Sequence, residues 1–561
     1  MKKIMKLGAS LFLVVLLVVS NVTGCSSSKD DGGMSKSNQT TQETEATPND
    51  NELEVSYPSE TANVYGNSKS ENIMADEEFK LSDSAGMAYV PEYNTEEYNA
   101  ITEYNFKSVK DNPLSTFSVD VDTASYSNVR RMIYDNEEVL PDAVRIEEMI
   151  NYFQYDYKEP KEGEPFSITT ELSDCPWNDD AKLLLIGLQA QEIDMDKRPS
   201  TNLVFLLDVS GSMDEEDKLP LMQKAFALLT ENLNEKDRVS IVTYAGYESV
   251  VLDGARGDET GKIVSAIESL SAGGSTAGAA GITRAYQLAE EYFIDGGNNR
   301  VILATDGDLN VGVTSEGELT RLIEEKREHG VFLSVLGFGT GNIKDNKMEA
   351  LADNGNGNYA YIDSLLEAKK VLVEEMGGTL YTVAKDVKLQ VEFNPARVGS
   401  YRLIGYENRS LNTEDFNDDA KDAGEIGAGH RVTALYELIG TDSKQPVPST
   451  ELKYQSGNRD ASNREFNKEL LTINIRYKEP DGNKSKLISE PVTDRVYTKI
   501  MPKNLTFASS VAAFGMILRD SEYKGNASLD MVLELLKGYD YSNDEYKDEF
   551  ISLVKRMKRY Y

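Results

Sequence analysis

Apolar residues fill positions 203–207 without interruption and stop at the polar turn Asp208-Val209-Ser210-Gly211-Ser212; past a short acidic loop, a helical spacing of apolar positions runs from 219 to 233. A strand covered on both faces needs no polar alternation, so this run predicts a central parallel strand with the turn at its carboxyl end. Short runs at 238–244, 301–303, 331–338 and 359–362, with helical spacings between them, predict its neighbours. The run at 301–303 again enters an acidic turn, Thr305-Asp306-Gly307-Asp308, and Gly273-Gly274-Ser275-Thr276-Ala277 precedes a helical stretch to 293. Open α/β sheets bind ligands at the carboxyl ends of their strands, which is where these turns fall.

Strands are also predicted on both sides of this block. Before it, 116–121 alternates like a strand, 125–135 and 145–153 have helical spacing, and 166–172 and 182–189 read as strands joined through Pro176. After it, 387–393, 400–406, 430–438 and 470–477 are strand-like, with acidic or glycine-rich loops between them. The two sets bracket the α/β block, so they predict a β-sandwich built from both flanks with that block inserted. The chain ends in helical spacings at 505–518, 528–536 and 545–557, with Ser528 and Ser542 as start signals. Asp120 and Asp122 have no further oxygen ligands or calcium-loop glycine beside them, which points to a surface or capping role. The stretch 353–358 lacks the later Glu of a calcium loop and reads as a turn before the 359–362 strand.

Composition sets the compartment. At 561 residues the chain has room for two or three domains, and a formal net charge of −36 opposes nucleic acid and anionic lipid at the folded surface. Lys2, Lys3 and Lys6 precede an apolar core at 11–19, too short for the roughly 20 residues of a membrane-spanning helix. Val22-Thr23-Gly24-Cys25 resembles the lipobox of a bacterial lipoprotein signal. That resemblance implies cleavage before Cys25, a diacylglyceryl thioether on Cys25 with a further acyl group in many bacteria, and a protein tethered to the membrane on its extracytoplasmic face. Residues 26–74 are polar and lack apolar clusters, as a disordered tether does, and 75–110 reads as linker. With Cys25 taken by lipid, Cys175 has no disulfide partner and reads as a small buried side chain.

The chemistry of D-x-S-x-S follows from its ligand types. One carboxylate and two hydroxyls on a tight loop are hard oxygens of low total charge, suited to Mg²⁺, which keeps several waters and leaves a position open for a partner's carboxylate. Asp208, Ser210 and Ser212, then Thr276, then Asp306 resemble the metal-ion-dependent adhesion site (MIDAS) of the von Willebrand factor type A domain. The resemblance covers 200–375. It implies a doubly wound, mostly parallel, Rossmann-like α/β sheet. It also implies a metal held directly or through water by Ser210, Ser212, Thr276, Asp208 and Asp306, with Mg²⁺ favoured over Mn²⁺ or Ca²⁺. The flanking stretches 117–126 and 401–409 resemble a bacterial subfamily of secreted proteins that carry an A domain between an amino-terminal segment and a carboxy-terminal domain of unknown function.

The organisation expected is a signal peptide at 1–24, a lipidated tether at 25–110, a flanking segment at 111–199 and the A domain at 200–380. A β-rich domain at 381–500, with 165–193 as its candidate completion, and helices at 501–561 follow. The chain carries no H-E-x-x-H, nucleophile elbow or phosphate loop, and its two histidines, His329 and His430, sit at a helix end and a strand start. The expectation is therefore a non-enzymatic module that binds a protein partner through Mg²⁺ and the partner's Asp or Glu, with membrane contact only through the lipid. An envelope scaffold with a structural metal is the second reading, and a metal-dependent hydrolase the third.

Overall fold

The computed structural model describes residues 95–193, 197–274, 278–307, 316–419, 421, 423–443, 468–480 and 482–560. The signal segment, Cys25, the tether to residue 94 and Thr276 lie outside the described residues.

The amino-terminal flank comprises β1 (Lys107–Ser108), β2 (Leu114–Ser118), α1 (Ala124–Asp135), α2 (Ile146–Asn151), β3 (Phe166–Asp174) and β4 (Ala181–Ala190). The central block follows as β5 (Thr201–Asp208), α3 (Leu219–Thr230), β6 (Arg238–Ala245), β7 (Tyr247–Arg256), α4 (Thr260–Glu268), α5 (Gly278–Glu291) and β8 (Asn298–Thr305). It continues with α6 (Glu316–Glu328), β9 (Val331–Phe338), α7 (Asp345–Asn354), β10 (Tyr359–Ile362), α8 (Leu365–Lys369) and α9 (Met376–Leu380). The carboxy-terminal part holds β11 (Thr382–Phe393), β12 (Val398–Ile404), β13 (Glu425–Gly427), β14 (Arg431–Gly440), β15 (Glu469–Lys478) and β16 (Lys486–Thr493), then α10 (Lys503–Leu518), α11 (Leu529–Leu536) and α12 (Glu545–Tyr560).

The central sheet runs β10-β9-β8-β5-β6-β7, parallel except for the antiparallel edge strand β7. This is the doubly wound α/β class. All eight residues of β5 are buried, as a strand between two helical layers requires. Leu203, Phe205 and Leu207 pack toward α3 and α4, and Phe205 meets Phe226 with ring centroids 4.6 Å apart. Val204 and Leu206 pack with Ile282, Ala285 and Tyr286 of α5 on the other face. Burying each such side chain contributes about 1.5–3 kcal/mol. The chain leaves β5 for β6 on one side and later returns to β8 on the other, so β5 marks the switch point of the sheet.

Two antiparallel sheets stand beside this block. One runs β1-β12-β14-β4-β3; the other runs β13-β11-β15-β16, with β2 also on β11. Their facing sides share one core that includes Phe117, Leu184, Leu389, Val432, Tyr436 and Ile473. Each sheet thus combines strands from before and after the central block. The outer face of the first sheet is covered by α1, α2 and α10–α12 through Leu183, Leu185, Ile404 and Leu435. The helix α10 lies inside this layer, and nearly every residue from Asn504 to Leu518 is buried, so it has no solvent face.

Two expectations need correction. Residues 95–110, read as linker, are folded: Thr95 N donates to Gly341 O at 2.9 Å, Glu96 pairs with Arg131 at 2.9 Å, and β1 pairs with β12. Backbone pairing, ion pairs of Glu96, Glu97 and Glu103, and scattered contacts of Tyr98, Tyr104, Phe106 and Val109 with the cores hold this stretch, and none of these leaves a hydrophobic period in a sequence. Asp122, read as surface or capping, is 4% exposed and bridges elements: its Oδ1 accepts from Tyr359 N at 2.9 Å and its Oδ2 from Arg409 Nη2 at 3.0 Å. The strands β7 and β16 were not foreseen, because they lie at sheet edges with largely exposed residues and so lack an apolar run. Cys175 is free and buried as expected.

Candidate functional site at the carboxyl ends of β5 and β8

Parallel pairing of β5 with β8 sets Leu207 opposite Ala304, so Asp208 and Thr305-Asp306 leave the sheet side by side. Asp208 Oδ1 accepts from Ser210 N at 2.9 Å, a local turn bond typical of Asp, and Oδ2 accepts from Thr305 Oγ1 at 3.1 Å. The Ser210 and Ser212 hydroxyls lie 2.9 Å apart. The loop is pinned to its neighbours by Val209 N to Tyr244 O at 3.2 Å, Gly273 N to Val209 O at 2.8 Å and Gly211 N to Gly274 O at 3.1 Å. Thus the stretch before Thr276 reaches the same loop, although Thr276 itself lies outside the described residues. The approach of the 341–344 segment requires glycine at 307, where φ is +104° and a Cβ would lie 2.6 Å from Asn342 O.

Burial pushes the Asp208 carboxyl up to about 6; the bonds from Ser210 oppose the rise and the charge of Asp306 adds to it. Asp306 is 1% exposed and neither carboxylate oxygen has a hydrogen-bond partner. Lys218 Nζ stands 3.6 Å from Asp306 Oδ2 and donates to Ser212 O at 3.0 Å. Ser212 and Gly211 are exposed, whereas Asp208, Ser210 and Asp306 are buried.

These residues fit a divalent cation. Two carboxylates and two hydroxyls form a set of hard oxygens, and the bare oxygens of Asp306 lack the donors that buried carboxylates normally acquire. Among the described residues no group of three or more His, Cys, Asp or Glu side chains is placed to hold a metal, so an ion here depends on the hydroxyls as much as on the acids. The structure brings Asp208, Ser210, Ser212 and Asp306 together. Sequence reasoning missed Thr305, which bonds Asp208, and Lys218, which sits ten residues after Asp208 with no motif to mark it.

A doubly wound sheet with this loop at its switch point defines a von Willebrand factor type A domain, and the description of that domain matches residues 202–374. Domains of this class are usually non-enzymatic protein-interaction modules and commonly bind a divalent metal. Residues 92–185 match the description "von Willebrand factor", and 378–560 match "Uncharacterized protein YfbK, C-terminal". The chain belongs to the family of the uncharacterized protein YfbK of Escherichia coli (strain K12), to which it is 42% identical over 487 residues, covering 85% of this chain and 84% of that protein. It is also 30% identical over 188 residues to the uncharacterized protein sll0103 of Synechocystis sp., covering 33% of this chain and 43% of that one. Among solved structures it is similar to a von Willebrand factor type A protein from Catenulispora acidiphila, at 14% identity and a TM-score of 0.38, covering 72% of this chain and 91% of that one.

Proposed function

We propose that this protein is a metal-dependent protein-interaction module, anchored by lipid on Cys25 at the extracytoplasmic face of the cell membrane. Asp208, Ser210, Ser212, Thr276 and Asp306 hold Mg²⁺, and the partner supplies an Asp or Glu carboxylate. The ion supplies a Lewis-acidic position with room for that one further ligand. The observation that carries the reading is the Asp306 carboxylate, buried without a hydrogen-bond donor at the end of the strand beside the Asp208–Ser212 loop. Asp208 and Ser210 are held by backbone bonds before any ligand arrives, so partner binding needs little rearrangement. The exposed acidic loop 214–216 beside Ser212 favours a partner whose carboxylate is flanked by Lys or Arg.

The test is a pull-down from envelope extract with the protein beginning after Cys25, in Mg²⁺ and in EDTA, with Asp208→Ala beside it. A protein retained only by wild type in Mg²⁺ is the expected result. Equal retention by Asp208→Ala sinks the proposed site. A second reading, an envelope scaffold, draws support from the ion pairs that tie the central block to both flanks: Arg130 to Asp363 and Glu367, Arg145 to Asp345, and Arg409 to Asp122 and Glu349. In that case partners are kept in EDTA.

A further inference from the structure

We infer that Lys218 is a built-in counter-cation of the Asp208–Asp306 site, holding Asp306 when no metal is present and opposing the divalent ion when it enters. The inference rests on the reading of that site as a divalent-cation site.

Lys218 stands in an adverse place. It occupies the amino-terminal cap of α3, makes no side-chain cap bond, and so sets a positive charge at the positive end of the helix dipole. It is also 5% exposed, and burying an ammonium group is unfavourable unless a counter-charge meets it. Two carboxylates do so: Asp306 Oδ2 at 3.6 Å and Glu215 Oε2 at 3.5 Å. Glu215 is 56% exposed and solvent screens it, whereas Asp306 is 1% exposed. Asp306 is therefore the partner that matters.

The stem of Lys218 is held in a slot. At Gly339, where φ is +74°, a Cβ would lie 2.4 Å from both Cγ and Cε of Lys218, so only glycine leaves room for it. With the stem confined and Nζ bonded to Ser212 O at 3.0 Å, the ammonium group faces Asp306 along a fixed direction. Asp208 has both oxygens occupied by Ser210 N and Thr305 Oγ1. Among the described residues, Lys218 is thus the cation that pairs with the bare carboxylate in the metal-free protein. A divalent ion at the same oxygens meets a like charge that cannot swing away, which weakens its binding. Once the ion is bound, the two carboxylates, the ammonium and the ion together carry a single net positive charge. That balance suits one incoming carboxylate and no more.

Full-length wild type, Lys218→Met, Lys218→Gln, Lys218→Arg and Asp208→Ala are titrated with Mg²⁺ alone by calorimetry and melted in EDTA. Lys218→Met and Lys218→Gln bind Mg²⁺ about tenfold more tightly than wild type and melt lower in EDTA, while Lys218→Arg, which keeps the charge, stays near wild type in affinity. Agreement between Met and Gln separates charge from packing. Binding by Lys218→Met where wild type shows none also supports the inference. Wild type that binds Mg²⁺ with an affinity unchanged or weakened in both neutral variants overturns it while leaving the metal site standing. If no form binds Mg²⁺, or Asp208→Ala binds as wild type does, the metal-site reading falls and the inference with it.

Discussion

Two groups of buried charge in this protein are handled in opposite ways. At the seam between the central block and its flanks, Arg409 bonds Asp122, Glu349 and Asp353, each at 3.0 Å, and Arg145 bonds Glu148 at 2.8 Å and Asp345 at 2.6 Å. At the carboxyl ends of β5 and β8, Asp208 has only neutral donors and Asp306 has none. Both groups bear the penalty of burial. The seam offsets part of it with guanidinium groups, whose planar forks match several carboxylates at once, although burial still raises the Asp122, Glu349 and Asp345 carboxyls. The site has only the Lys218 ammonium, 3.6 Å from Asp306, and gives neither acid a charged hydrogen-bond donor, which is the arrangement expected where a ligand completes the charge. The contrast separates acids that join parts of a fold from acids that await something.

The largest effect expected from disturbing this contrast is at Arg409. Arg409→Met leaves Asp122 buried without its cation, takes from Glu349 one of its two arginines and releases the part-exposed Asp353, and it lowers stability by about 3–5 kcal/mol, read from urea denaturation. An unchanged midpoint would mean that the seam is looser than its geometry. Asp306→Asn has a smaller effect. It leaves the buried Lys218 ammonium with only the solvent-screened Glu215, lowers stability in EDTA by about 1–3 kcal/mol and removes any rise in melting temperature on adding Mg²⁺. A variant that melts as wild type does in EDTA would show that Lys218 and Asp306 do not hold each other.

The smallest effect concerns pH. Burial pushes the Asp345 carboxyl from 3.8 up to about 6, with Arg145 pulling against it. The folded state therefore keeps its proton over a window in which the unfolded chain has lost it. This group's stabilising share is complete below about 4 and is lost as pH rises through about 6. The stability of wild type should fall relative to Asp345→Asn across that interval in thermal melts. A constant difference between the two would contradict the assignment.

Much of the central block was legible in the sequence because its physics is local. The uninterrupted run 203–207 could only be a strand buried on both faces, and the D-x-S-x-S turn directly after it brings two hydroxyls and a carboxylate to one loop. Asp306 was found by the same signal, an apolar run ending in acid. Thr305 and Lys218 carry no such signal, since a threonine at a strand end and a lysine before a helix are common and their partners lie far away in the chain. Asp122 was misread for that reason: its ligands Tyr359 N and Arg409 are more than 230 residues distant.

By itself, then, the sequence determined the α/β class, the positions of β5, β8, β9 and β10, and the loop chemistry at the end of β5. These follow from the period of apolar residues and from turn preferences, which act over a few neighbouring positions. Tertiary structure alone decided that β2 would pair with β11, that Arg409 would gather three acids from two distant segments, and that Lys218 would lie under Gly339 against Asp306. Backbone hydrogen bonds and ion pairs are available to any strand or charge of the right type. Which pair forms is settled only when the packed cores bring particular partners within reach.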